Sequence, residues 1–102
     1  MLIKKIKKLH INSYTFSVIW DKERDGATFN YTNREIIIGT RDNFQDTIFN
    51  NICHELWEIV AIENHVRLSR PDCDGDYIFV YDHRQHDVMA NMFASSISQF
   101  IV

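Results

Sequence analysis

The sequence predicts a single α+β domain: a three-to-four-stranded, mostly antiparallel sheet packed against one long helix and a C-terminal helix. Three observations carry this expectation. Alternating apolar residues fill the first forty positions, residues 44–68 run without Gly or Pro, and apolar residues recur at helical spacing over 83–100. A chain of 102 residues suits one core and is short for two, so residues 1–102 form one domain. Hydrophobic residues make up 45% and charged residues 25%, the balance of a chain that folds rather than stays disordered. At this size the core is marginal, and a bound metal or partner would add to stability.

In residues 9–20, Tyr14, Phe16, Val18 and Trp20 repeat with a period of two, which predicts a long half-buried strand. The charged segment 21–26 ends in Gly26, which supplies the positive φ of a reversal. A short strand through Phe29 and Tyr31 comes next, then Ile36, Ile37 and Ile38 before Gly39, a run that suits a strand buried on both faces. These strands are expected to form a meander. Asp42 or Asn43 is placed to cap the long helix.

With about 100° per residue, that helix collects Ile48, Phe49, Ile52, Cys53, Leu56, Trp57, Ile59 and Val60 in one sector and turns Thr47, Asn51, His54, Glu55, Glu58 and His65 the other way. Trp57 and Phe49 read as core. Residues 71–76 have loop composition, with Asp74-Gly75 as a turn, and their spacing does not supply the ligands of an EF-hand. A strand over 77–81 and the last helix complete the chain.

Charge and composition exclude several classes. A net charge of −3 argues against a domain that lives by neutralising phosphates, so no nucleic-acid partner is expected. Lys4, Lys5, Lys7 and Lys8 beside the first strand read as a solvated edge that discourages aggregation. No apolar run has the length of a membrane span or the form of a secretory signal, which predicts a cytoplasmic protein without a membrane partner. Cys53 and Cys73 lack the pairing of a thiolate metal site and read as reduced thiols.

The chemistry concentrates in HELWE, residues 54–58. His54 and Glu58, four apart, face the same way, and Glu55 stands about 100° round the helix, within reach of a ligand of an ion held there. The pattern is one residue away from HExxH, in which two histidines bind zinc and the glutamate acts as general base. Glutamate is itself a competent zinc ligand. A histidine from elsewhere would keep the inventory at two imidazoles and one carboxylate, leaving the ion the net positive charge that acidifies bound water. His83, His86 and Asp87 are the candidates, with His83 preferred because it stands where a strand hands over to a helix. On spacing alone, the default for His54, Glu55 and Glu58 is an ordinary solvated stripe opposite the buried face of an amphipathic helix. His10 and His65 have no partners at ligand spacing.

Over nearly its whole length the chain resembles the small zincin-like metallopeptidase domains, particularly short phage and bacterial proteins with an HExxE variant. The resemblance rests on VIWD at the end of the first strand, the turn DGATFNY, the strand REIIIGT, the helix TIFNNICHELWEIV, and FVYDH followed by an amphipathic helix. It implies a zincin-like fold, a Zn2+ ion bound by His54, Glu58 and His83, Glu55 as catalytic base, and a peptide or protein as substrate. The competing expectation is a non-catalytic binding or regulatory module that keeps the architecture and grips another protein. The short chain leaves little material for a water-excluding cleft, which favours a narrow substrate or the binding role.

Overall fold

The computed structural model describes residues 2–41, 44–69 and 76–102. Four strands form one mixed sheet: β1 (Lys8–Ile11), β2 (Tyr14–Asp21), β3 (Ala27–Asn30) and β4 (Glu35–Gly39), in the order β1-β2-β4-β3. The α+β class is as expected; the strand count and order are refined. Residues 9–20 are two strands, because Asn12 at φ 58° supplies the left-handed residue of a tight turn without a glycine to signal it. The meander is corrected as well. β4 inserts between β2 and β3 and runs parallel to β2, with Val18 opposite Ile36 and Trp20 opposite Ile38. The most apolar strand thereby takes a central position. Ile36 and Ile38 are fully buried, while Ile37, on the opposite face, is partly exposed, so β4 is not buried on both sides.

Parallel pairing of β2 and β4 requires the connection between them to clear the sheet end. Gly26, at φ 71°, turns that connection. Its carbonyl accepts from Gly39 N at 2.8 Å, and Asp21 O accepts from Thr40 N at 2.9 Å. A Cβ on Gly39 would run into the carbonyl oxygens of Arg24 and Gly26, so this approach needs glycine.

One face of the sheet, carrying Leu9, Ile11, Phe16, Val18, Ile36 and Ile38, packs on Ile48, Ile52, Leu56 and Ile59 of α1 (Gln45–Glu63) and on Phe100. The expected core sector of α1 holds. Its expected caps at Asp42 and Asn43 lie outside the described residues, and Phe44 occupies the N-cap position without a side-chain hydrogen bond. The helix ends five residues earlier than predicted. His65 adopts φ 57°, its N–H donates to Ile62 O at 3.0 Å and that of Val66 to Ala61 O at 3.1 Å, the paired bonds of a Schellman closure. Val66, buried beside Ala61, supplies the apolar contact that accompanies such an end.

The chain then forms β5 (Arg67–Ser69), paired antiparallel with β6 (Tyr77–Phe79) in a separate ribbon. β6 is shorter than the predicted strand over 77–81. α2 (His83–Ile97) begins where expected. Asp82 caps it, accepting from Gln85 N at 2.9 Å while Gln85 Oε1 accepts from Asp82 N at 3.0 Å. The last turn, Ser98–Phe100, is a 3-10 helix. Met89 packs with Val60, Ala61 and Val66, joining α2 to α1. The four N-terminal lysines are exposed along the edge that ends in β1, as the solvated-edge reading requires. Among the described residues no helix is long and apolar enough to cross a membrane.

Candidate metal centre

The polar face of α1 rises toward the β5–β6 ribbon and brings His54, Glu55 and Glu58 together. One ligand atom from each lies within 4.8 Å of the others. His54 Nε2 is 3.1 Å from Glu58 Oε2, an i,i+4 contact that the spacing anticipates. The histidine side chain is 69% exposed and the glutamate 19%, so the centre sits at the rim of the protein with its carboxylates drawn inward.

Glu55 is partly buried. Desolvation, reinforced by the neighbouring Glu58 charge, pushes its carboxyl up to about 7, against the opposing influence of His54, Arg67 and Arg24. Two carboxylates in one small volume cannot both ionise cheaply without a cation between or beside them.

The structure supplies such a cation in Arg67, whose importance the sequence concealed. Its Nε is 3.5 Å from Glu58 Oε1, so the two oxygens of Glu58 face different partners: Oε1 the guanidinium and Oε2 the imidazole. Arg67 is in turn held by stacking, its Cζ 3.6 Å from the centre of the Tyr77 ring and 5.7 Å from that of Phe29. Its Nε is buried and makes no hydrogen bond, which leaves the charge on Glu58 as its compensation. Residue 67 was expected to lie in the helix. The signal that moves it onto a strand is the left-handed His65, a residue type that takes this conformation less often than glycine.

A second arginine cluster fixes the far end of α1. Tyr31 Oη donates to Glu63 Oε1 at 2.6 Å, and Arg34 lies 3.8 Å from the same oxygen while its Cζ stands 3.6 Å from the Tyr14 ring centre and 4.6 Å from that of Tyr31. Burial and the Glu63 carboxylate raise the Tyr31 hydroxyl above its ordinary pKa. These bonds tie the C-terminal end of α1 to the connection between β3 and β4.

Beside the triad opens a cavity of about 360 Å³ lined by His54, Trp57, Glu58, Asp76, Tyr77 and Phe79. Trp57 is partly core, as predicted, with its ring edge-on to Phe93 at 5.3 Å; it also forms one wall of this cavity.

His83, the expected third ligand, stands outside the group of three. It is the first residue of α2, its side chain is 90% exposed, and its Nδ1 lies 3.7 Å from Asp87 Oδ2. His86 stacks between Tyr81 and His83, with ring centres 5.9 and 6.4 Å away. β6, which lines the cavity with Tyr77 and Phe79, ends four residues before His83. Cys53 is a free thiol, partly buried and with its pKa raised by desolvation; Cys73 lies outside the described residues.

Compared with protein-family models, with curated proteins and with solved structures, the chain matches none.

Proposed function

We propose that the chain is a zincin-like, zinc-dependent metallohydrolase acting on a peptide or protein, with His54, Glu58 and His83 as zinc ligands and Glu55 as general base. The observation that carries the reading is the convergence of His54, Glu55 and Glu58, at HELWE spacing, to within 4.8 Å beside a cavity of ligand size. The donor set fits the ion: imidazole nitrogen and carboxylate oxygen are zinc ligands, and Arg67 offsets the charge of the second carboxylate. With Arg67 paired to Glu58, that ligand acts almost as a neutral one, and the centre retains the positive charge that a histidine at position 58 would have left it.

Zinc bound by these residues would polarise a carbonyl and acidify water. The residues do the rest. Glu55, grouped with His54 and Glu58 on the same helix, would take the proton that such water gives up. His54 and Glu58 fix the approach to it from the same helix face. His83 would join them from its exposed position at the start of α2 by giving up its ring contact with His86, and Asp87 beside Nδ1 leaves Nε2 as the ligand atom, the usual arrangement of a carboxylate behind a metal-binding histidine.

The second reading, a binding module without catalysis, is favoured by the exposure of Tyr77, Ile78, Phe79, Val80 and Tyr81, a contiguous apolar strip suited to a protein partner. Glu55→Gln separates the two. The amide keeps the shape and cannot accept the proton, so hydrolysis of a protein substrate should fall by at least about a hundredfold with zinc retained. An unchanged biological effect in this variant would leave the binding module as the function.

A further inference from the structure

β6 pairs with β5, and among the described residues no strand pairs with its other edge. The phase of the ladder decides which groups face outward. Val80 N donates to Val66 O at 3.0 Å, so Val80 and Ile78 turn their amides and carbonyls toward β5. The alternation of an antiparallel pair turns those of Tyr77, Phe79 and Tyr81 away from it. The Tyr77 amide is already taken, donating to Asp76 Oδ1 at 2.9 Å. Among the described residues, no hydrogen bond engages the Phe79 amide or carbonyl, the Tyr81 amide or the Tyr77 carbonyl.

This edge lacks the usual protection. The edge that ends in β1 carries Lys4, Lys5, Lys7 and Lys8, whereas residues 77–81 hold no charge and no proline and are exposed by 38% to 59%. The ribbon itself, with strands of 3 residues each, is below the size at which a sheet is stable alone.

The run also specifies what fits it. Tyr77-Ile78-Phe79-Val80-Tyr81 reads nearly the same in both directions. Laid antiparallel on a second copy with Phe79 on the two-fold axis, it sets Tyr77 against the partner's Tyr81 and the β-branched Ile78 against the partner's Val80. Phe79 N then meets the partner's Phe79 O, and Tyr81 N meets the partner's Tyr77 O, each bond with its symmetry mate. All of these groups face outward in the single chain. Ile78 and the partner's Val80 fall at the narrow, non-hydrogen-bonded position, where side chains come closest, and exposed Leu68, opposite Ile78 on β5, extends the apolar row. We propose that β6 pairs with β6 of a second copy, joining the two ribbons into one sheet in the order β5-β6-β6-β5 across a two-fold axis.

The pairing uses backbone groups only, so Arg67 keeps its stacking on the Tyr77 ring and its contact with Glu58. It does not depend on the metal reading. It also closes on itself: the axis consumes the outer edge of both β6 strands, and no further copy can add through them.

The test is sedimentation equilibrium of the full chain from about 1 to 500 μM, where a small interface should take the mean mass from one chain to two. Phe79→Pro removes an amide that β5 does not use, and proline is tolerated at such an edge, so the ribbon should persist while association weakens at least about tenfold. Val80→Lys, at an exposed position, should weaken association similarly and decides the matter if the proline variant fails to fold. The register is read by oxidation in a Cys53→Ala, Cys73→Ala background. Phe79→Cys places two thiols on residues about 5.5 Å apart at Cα and should form a covalent dimer, whereas Val80→Cys, offset from its mate along the strand, should not. A monomer over the whole range overturns the proposal, as do growth beyond the dimer, a dimer that survives Val80→Lys, and crosslinking at Val80→Cys in place of Phe79→Cys. Zinc content of the same samples reads the metal centre separately, so either claim can fail alone.

Discussion

Arg67 Nε and Glu58 Oε1 are 3.5 Å apart, and through that pair the β5–β6 ribbon holds one of the two carboxylates of the candidate metal centre. The other oxygen of Glu58 faces His54, so the pair decides which way the ligand points. Arg67→Met should therefore lower zinc affinity by about ten- to a hundredfold, the usual cost of losing a residue that orients a ligand. Arg67→Lys should recover part of the loss. Competition against a chromophoric chelator measures both, and tighter binding in Arg67→Met would mean that Arg67 competes with the ion instead of orienting its ligand.

Metal-free protein should lose stability as the pH rises from about 4.5 toward 7. The Glu55 carboxyl has its pKa raised to about 7 in the folded state, from 4.5. The folded chain thus binds this proton more tightly than the unfolded chain. The stabilisation is complete below the unfolded value and is lost through the folded one. Solvent around a part-buried carboxylate screens the effect to about 1–2 kcal/mol, or roughly 5–10 °C in Tm for a domain of this size. Melting curves at pH 5 and pH 8 on chelated wild type and Glu55→Gln check it: the variant should lack this component of the pH dependence.

The third ligand has its own test. His54→Ala and His83→Ala should each abolish stoichiometric zinc, and His86→Ala should leave it, since the His86 ring is stacked on Tyr81. Retention of the ion in His83→Ala would assign the third position to Glu55, whose ligand atom is already in the group, and remove its role as base.

The end of α1 at Glu63 predicts a gain from a small change. His65 pays the steric cost of a left-handed conformation that glycine adopts freely, so His65→Gly should stabilise the fold by about 1 kcal/mol in urea unfolding. The same position explains what the sequence withheld. Periodicity exposed the buried face of α1, the grouping of His54, Glu55 and Glu58, and the start of α2 at His83, because each follows from local spacing. Asn12, Arg34 and His65 reverse the chain without glycine, so the β1–β2 turn and the β5 strand had no local mark. The insertion of β4 beside β2 is a pairing choice between distant segments, which no window of the sequence records. Arg67 was lost with it, since its role depends on leaving the helix.

Whether His54 and Glu58 hold a metal ion is decided by elemental analysis of protein purified without a metal-binding tag and without added zinc, run beside His54→Ala. Close to one zinc per wild-type chain is expected, with little in the variant and a rise in Tm when zinc is returned to chelated wild type. No zinc in the purified protein, with no thermal shift on its addition, would contradict a metal centre here.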